Sequence, residues 1–149
     1  MRRALLMRRA LAIAATAEAA VDAVALDLEG RRRRRHVVET RSGERVLIDL
    51  AEAPSLKHGQ GLVLEDGTRL RVEALPEPVI EITAADLARI AWHLGNRHLP
   101  TEIRASALRI RPDHVIEAML EGLGASLERL EAAFEPETGA YGHHHHGPD

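Results

Sequence analysis

The hydrophobic period of the chain changes at Pro76-Glu77-Pro78, and no other feature constrains its folding as much. Before this point apolar residues alternate with polar ones. Val24, Leu26 and Leu28 do so, Val46, Ile48 and Leu50 repeat the pattern, and the short runs 62–64 and 70–72 complete it. An apolar residue at every second position describes a strand with one buried face. Ser42-Gly43 and Asp66-Gly67 stand between runs, where tight hairpins need a residue at positive φ. The first part therefore reads as a small antiparallel β domain, residues 1–76. The divided prolines then interrupt any ladder, which places a boundary there.

Beyond the boundary both periods occur. Val79 to Ile82 is strand-like. Thr83 with Asp86 has the spacing of a helix start, and Leu87, Ile90, Ala91 and Leu94 follow at helical spacing toward Gly95-Asn96. Two short strands are expected over 101–105 and 108–110. Pro112 suits the first turn of a second helix, with Val115, Ile116, Met119, Leu120 and Leu123 on its apolar face and Gly124 at its end. Leu127, Leu130 and Ala132 lead to Phe134 as a last strand. The order βαββαβ is that of a ferredoxin-like domain, residues 77–134, and the fold class is α+β. Residues 135–149 are polar and glycine-flanked and read as a flexible, histidine-rich tail.

A length of 149 residues suffices for a buried core. With aromatics at 2% of the chain, that core must be aliphatic. Lys plus Arg number 20 against 23 Asp plus Glu, for a net charge of −3, so bulk charge does not draw the chain to nucleic acid, and stacking platforms for bases are lacking. The run 31–35 is five consecutive arginines after Glu29-Gly30. Its plain reading is a solvated, pairing-resistant sheet edge, and its functional reading is a dock for an acidic protein partner. Near the start, the apolar stretch 10–17 ends at Glu18, well short of the ~20 residues of a membrane span. A cytoplasmic protein whose first residues form a strand or a loose arm is the expectation.

Cysteine is absent, so a metal would be held by imidazole and oxygen. Nine histidines provide the imidazole: His36, His58, His93, His98, His114 and the run His143, His144, His145 and His146. Four consecutive imidazoles near a chain end suit Ni, Cu or Zn. On composition alone an affinity tag fits that run as well as a native metal-binding end. His93 and His98 lie five apart, about 140° from each other on a helix, so they are no chelating pair. No His-Glu-x-x-His or dense Asp/His cluster supports a metallohydrolase. His98, just past the expected helix end, becomes a metal ligand if a two-fold axis brings a second copy of it close, with open positions left for tail histidines. His114, beside Asp113, is a possible secondary ligand, although a surface histidine at a helix start is the plainer reading.

The segments WHLGNRHLPTEIR, LRIRPDHVIEAMLEGLGA and FEPETGAYGHHHH, with LVLEDG and PEPVIEI upstream, resemble the UreE family of urease accessory nickel metallochaperones. The resemblance runs from about Val21 to the end. It implies a homodimer that carries Ni(II), not an enzyme, delivering its cargo to apo-urease together with the urease accessory GTPase. The family's interfacial ligand falls on His98, and its C-terminal ligands fall among His143 to His146. Some members carry His-x-His at the start of the second helix, where this chain has Pro112 and His114. A tail this short implies one or two ions per dimer, and Cu(II) or Zn(II) could also bind. The competing expectation is a metal-independent adaptor that docks an acidic partner through its basic β edge.

Overall fold

The computed structural model describes residues 6–137 and divides the chain into two compact units at Leu75 and Pro76. In the first unit the alternating segments become β1 (Arg8–Ala14), β2 (Asp22–Leu26), β3 (Arg35–Glu39), β4 (Arg45–Asp49), β5 (Gly61–Leu64) and β6 (Arg69–Ala74). They form one sheet in the order β2-β6-β5-β1-β4-β3. Residues 8–14 form a central strand of this sheet. Ala10 is fully buried, and Arg8 reaches Glu44 and Asp66 at 2.7 and 2.8 Å.

Two ladders, β1 with β4 and β2 with β6, run parallel. The sheet is thus mixed, not antiparallel throughout as expected. Alternation marks where strands lie but carries no information on their direction, which depends on the connections between them. The turns at Gly43 and Gly67 do hold positive φ, 98° and 90°. The core is aliphatic, built around Val24, Val46, Ile48, Leu56, Leu62, Leu70 and Val72.

The arginine run departs most from expectation. Asp27 accepts a hydrogen bond from Gly30 N and starts a short helix, α1 (Leu28–Arg32), so Leu28 is helical rather than the third residue of a strand. Arg31 is 2% exposed, with its guanidinium donating to the carbonyls of Leu26 and Leu56. A buried cation survives because carbonyl oxygens replace its water. Arg33, Arg34 and Arg35 remain exposed, and Arg34 and Arg35 both approach Asp49. The basic edge is therefore shorter and more neutralised than five arginines suggest.

The second unit contains β7 (Pro76–Thr83), α2 (Leu87–Asn96), β8 (Glu102–Ile103), β9 (Leu108–Ile110), α3 (His114–Gly122) and β10 (Ser126–Ala133). Its sheet order β10-β7-β9-β8, antiparallel at every pair, is the ferredoxin-like arrangement. Ile80, Ile82, Leu108 and Ile110 of the sheet pack with Ile90 and Leu94 of α2 and Ile116 and Leu120 of α3.

Local details differ from the sequence reading. The cap of α2 is Asp86, which accepts from Arg89 N, and not Thr83. In α3 Asp113 is the cap, accepting from Val115 N and Ile116 N, so Pro112 lies outside the helix. Ile116 and Leu120, four apart, then face the sheet. Val115 is turned outward and is 66% exposed.

The end of the described chain is also more ordered than a free tail. Phe134 is fully buried, with the Arg111 guanidinium 5.9 Å from its ring centroid. Glu135 N donates to Glu102 Oε1 at 3.1 Å, and Glu137 N donates to the Thr101 carbonyl at 2.8 Å. Residues 134–137 thus leave β10 at one edge of the sheet and are fastened to β8 at the other. Among the described residues, no helix is long and apolar enough to cross a membrane.

Candidate metal site

His98 owes its position to the way α2 ends. Arg97 N and Leu99 N both donate to the Leu94 carbonyl, at 3.1 and 3.3 Å, and His98 N donates to that of Gly95 at 3.0 Å. This is the Schellman pattern, with His98 at its left-handed position. Its φ is 57°, one of two positive values among described non-glycine residues. A side chain there costs about 1–2 kcal/mol, which histidine tolerates better than branched residues do. On either side, Leu94 is fully buried and Leu99 packs on the same core. The backbone between two apolar anchors is thereby forced outward, and the imidazole of His98 is exposed.

The other predicted residues are distributed differently. His93 lies in the last turn of α2, half-buried, edge-on to the exposed Trp92 ring at 5.1 Å. His114 is the first residue of α3 and is exposed. His143, His144, His145 and His146 lie outside the described residues. Among the described residues no group of three or more His, Asp or Glu side chains converges as a metal cage. His98 has no companion metal ligands grouped with it among the described residues.

The structure reveals one link that sequence reasoning missed. Thr101 Oγ1 donates to the Leu99 carbonyl at 3.0 Å, and the Thr101 carbonyl accepts from Glu137. A short hydrogen-bonded path thus connects the root of the histidine tail to the residue beside His98. The segment Phe134-Glu-Pro-Glu carries no periodic signal, so nothing in the sequence reveals which strand it crosses to.

In the first unit, His58 Nδ1 accepts from Ala74 N at 3.1 Å. His36 is inward-facing on edge strand β3, opposite Ile48, and both of its ring nitrogens are buried without a hydrogen-bond partner. Burial first, and then the neighbouring Arg33 charge, hold its pKa below the usual histidine range. Such surroundings favour the neutral ring.

Comparison with known proteins reveals similarity over both units. Residues 6–75 match the N-terminal domain of the UreE urease accessory protein, and residues 77–149 match its C-terminal domain. A urease accessory protein UreE of Chelativorans sp. (strain BNC1) is 47% identical, with 94% of each chain covered. Those of Bradyrhizobium sp. (strain ORS 278) and Ruegeria sp. (strain TM1040) are 54% and 55% identical over 87% and 82% of this chain. The chain spans 64% of the length of the Bradyrhizobium protein and 69% of the Ruegeria one.

Proposed function

From the premise that this chain belongs to the UreE urease accessory protein family, whose members are accessory proteins and not enzymes, we propose that it is a Ni(II) carrier in urease maturation. Two chains form a homodimer with the His98 side chains facing each other across the axis. Two imidazoles leave coordination positions open, and His143 to His146 fill them from either chain. His114 is at most an auxiliary ligand, since it stands alone at its helix start.

The observation that carries this reading is the hydrogen bond from Glu137 N to the Thr101 carbonyl. It fastens the root of the tail three residues along the chain from His98. His143 lies six residue steps beyond Glu137. At about 3.3–3.6 Å per residue they span up to ~20 Å, roughly twice the ~10 Å that three residues can put between Thr101 and His98. The tail histidines can therefore meet His98 without any change in the fold. Trp92 on α2 and Ile103 on β8, 63% and 57% exposed, flank His98 in the chain and offer a second copy apolar surface to cover.

Capture by the tail, holding at the His98 pair and handover by ligand exchange follow from this arrangement. The receiving partners are apo-urease and the urease accessory GTPase, and the setting is the cytoplasm. Imidazole must be neutral to bind, so affinity declines in acid. Intrinsic ligand preference favours Cu(II) over Ni(II), so the choice of nickel rests on availability and on the partner. The test is the mass of the intact assembly with and without nickel, together with calorimetry. A dimer taking one or two ions, with affinity at least about tenfold weaker in His98→Ala, is the expected result. Unchanged nickel affinity in His98→Ala overturns the reading.

A further inference from the structure

Glu102 is the one buried carboxylate among the described residues, 9% exposed on the two-residue edge strand β8. Burying a carboxylate is costly unless its oxygens are occupied. Here both are. Oε2 accepts from Arg104 Nη1 at 2.8 Å, and Oε1 accepts from the backbone N–H of Glu135 at 3.1 Å. The second bond joins β8 to the segment that has just left β10, at the far edge of the same sheet. Three strand spacings of about 4.8 Å lie between those edges, roughly 14 Å.

We propose that Glu102 is a positioning residue for nickel binding, a latch that holds residues 134–137 across the sheet so that the histidine tail starts on the His98 side. This rests on the carrier reading above. With the latch closed, the linker to His143 begins at Glu137, hydrogen-bonded to Thr101. With it open, the linker begins at buried Phe134, on the β10 side, nine residues from His143. A longer linker with a more distant origin lowers the effective concentration of tail imidazole at His98. Arg104 neutralises the carboxylate and fixes its rotamer, and the Thr101 carbonyl completes the latch at Glu137.

The experiment measures nickel affinity by calorimetry, and by quenching of Trp92, the chain's single tryptophan. It uses the full chain in two backgrounds: the parental tail, and a tail carrying His143→Ala, His144→Ala, His145→Ala and His146→Ala. Glu102→Ala is expected to weaken binding roughly three- to tenfold with the parental tail and to change nothing with the alanine tail. Glu102→Gln keeps an acceptor for Glu135 N–H and should stay within about twofold of the parent.

An equal loss in both backgrounds, no loss with the parental tail, or a Gln variant as weak as the Ala variant overturns the latch. If Glu102→Ala fails to fold, Glu137→Pro removes the donor at the exposed end of the latch and is held to the same expectations. His98→Ala in the parental chain is measured alongside. Indifference to that substitution sinks the carrier reading, whereas a His98 effect with no Glu102 effect sinks the latch alone.

Discussion

The two helices of the second unit end by the same hydrogen-bonding scheme but with opposite residues at the demanding position. In α3, Gly124 N donates to the Glu121 carbonyl and Ala125 N to that of Leu120, with Gly124 at φ 91°. In α2 the equivalent bonds come from His98 and Leu99, with His98 at φ 57°. Leu120 and Leu94 occupy the same place in the scheme, and both are fully buried. Glycine is the low-energy solution and α3 uses it. Where α2 carries an imidazole instead, backbone strain is accepted and an outward-facing ring is gained. Strain of this kind concentrates at functional positions.

The largest expected effects test whether the two ends are anchored alike. Leu94→Ala and Leu120→Ala each remove a fully buried side chain and should each cost about 2–5 kcal/mol in urea unfolding. A much smaller loss for Leu94→Ala would show that α2 is held by something other than its Schellman leucine. Exchanging the left-handed residues comes next. Gly124→His should destabilise by about 1–2 kcal/mol. A Cβ there meets nothing within 4 Å, so backbone strain is its only source. The reverse change, His98→Gly, should stabilise the chain by about 1 kcal/mol while weakening nickel binding. Stability lost in His98→Gly would mean that the ring makes contacts worth more than its strain.

The smallest effect sharpens the contrast with a histidine held at a different cost. His98 is strained and exposed, whereas His36 is half-buried with both ring nitrogens buried and unpaired. The folded state lowers the His36 pKa below its unfolded value, so below about 6.5 the unfolded chain binds the extra proton. Its contribution to stability is thus fully present above that pH and is lost as pH falls from there through the lowered folded-state pKa. Hydrogen exchange of β3 and β4 amides should show less protection at pH 5 than at pH 7.5. His36→Leu should flatten that difference, and an unchanged slope would assign the acid sensitivity to other groups.

Much of this architecture is legible in the residues because it is local. Val46 and Ile48 share a face because strands have a period of two. Ile90 and Leu94 share one because four residues nearly complete a helical turn. Gly124 ends α3 as its φ preference requires. Thr83 was a plausible cap by spacing, but Asp86 lies closer to the first helical turn and offers a carboxylate oxygen to Arg89 N. Val115 is exposed because it lies about 100° from Ile116, at the margin of a stripe whose buried centre is Ile116 and Leu120.

What the amino-acid order determined by itself is the inventory: two units, runs of alternation and helical stripes, an aliphatic core, and imidazole as the available metal ligand. Only the tertiary structure decided that β1 lies parallel to β4, that Arg31 is buried under carbonyls from Leu26 and Leu56, and that residues 134–137 cross to Thr101 and Glu102. The physical reason is common to all three. Each depends on polar groups of the backbone or side chains, brought together from separate elements, satisfying one another once water is excluded, and no local period encodes which partner that will be.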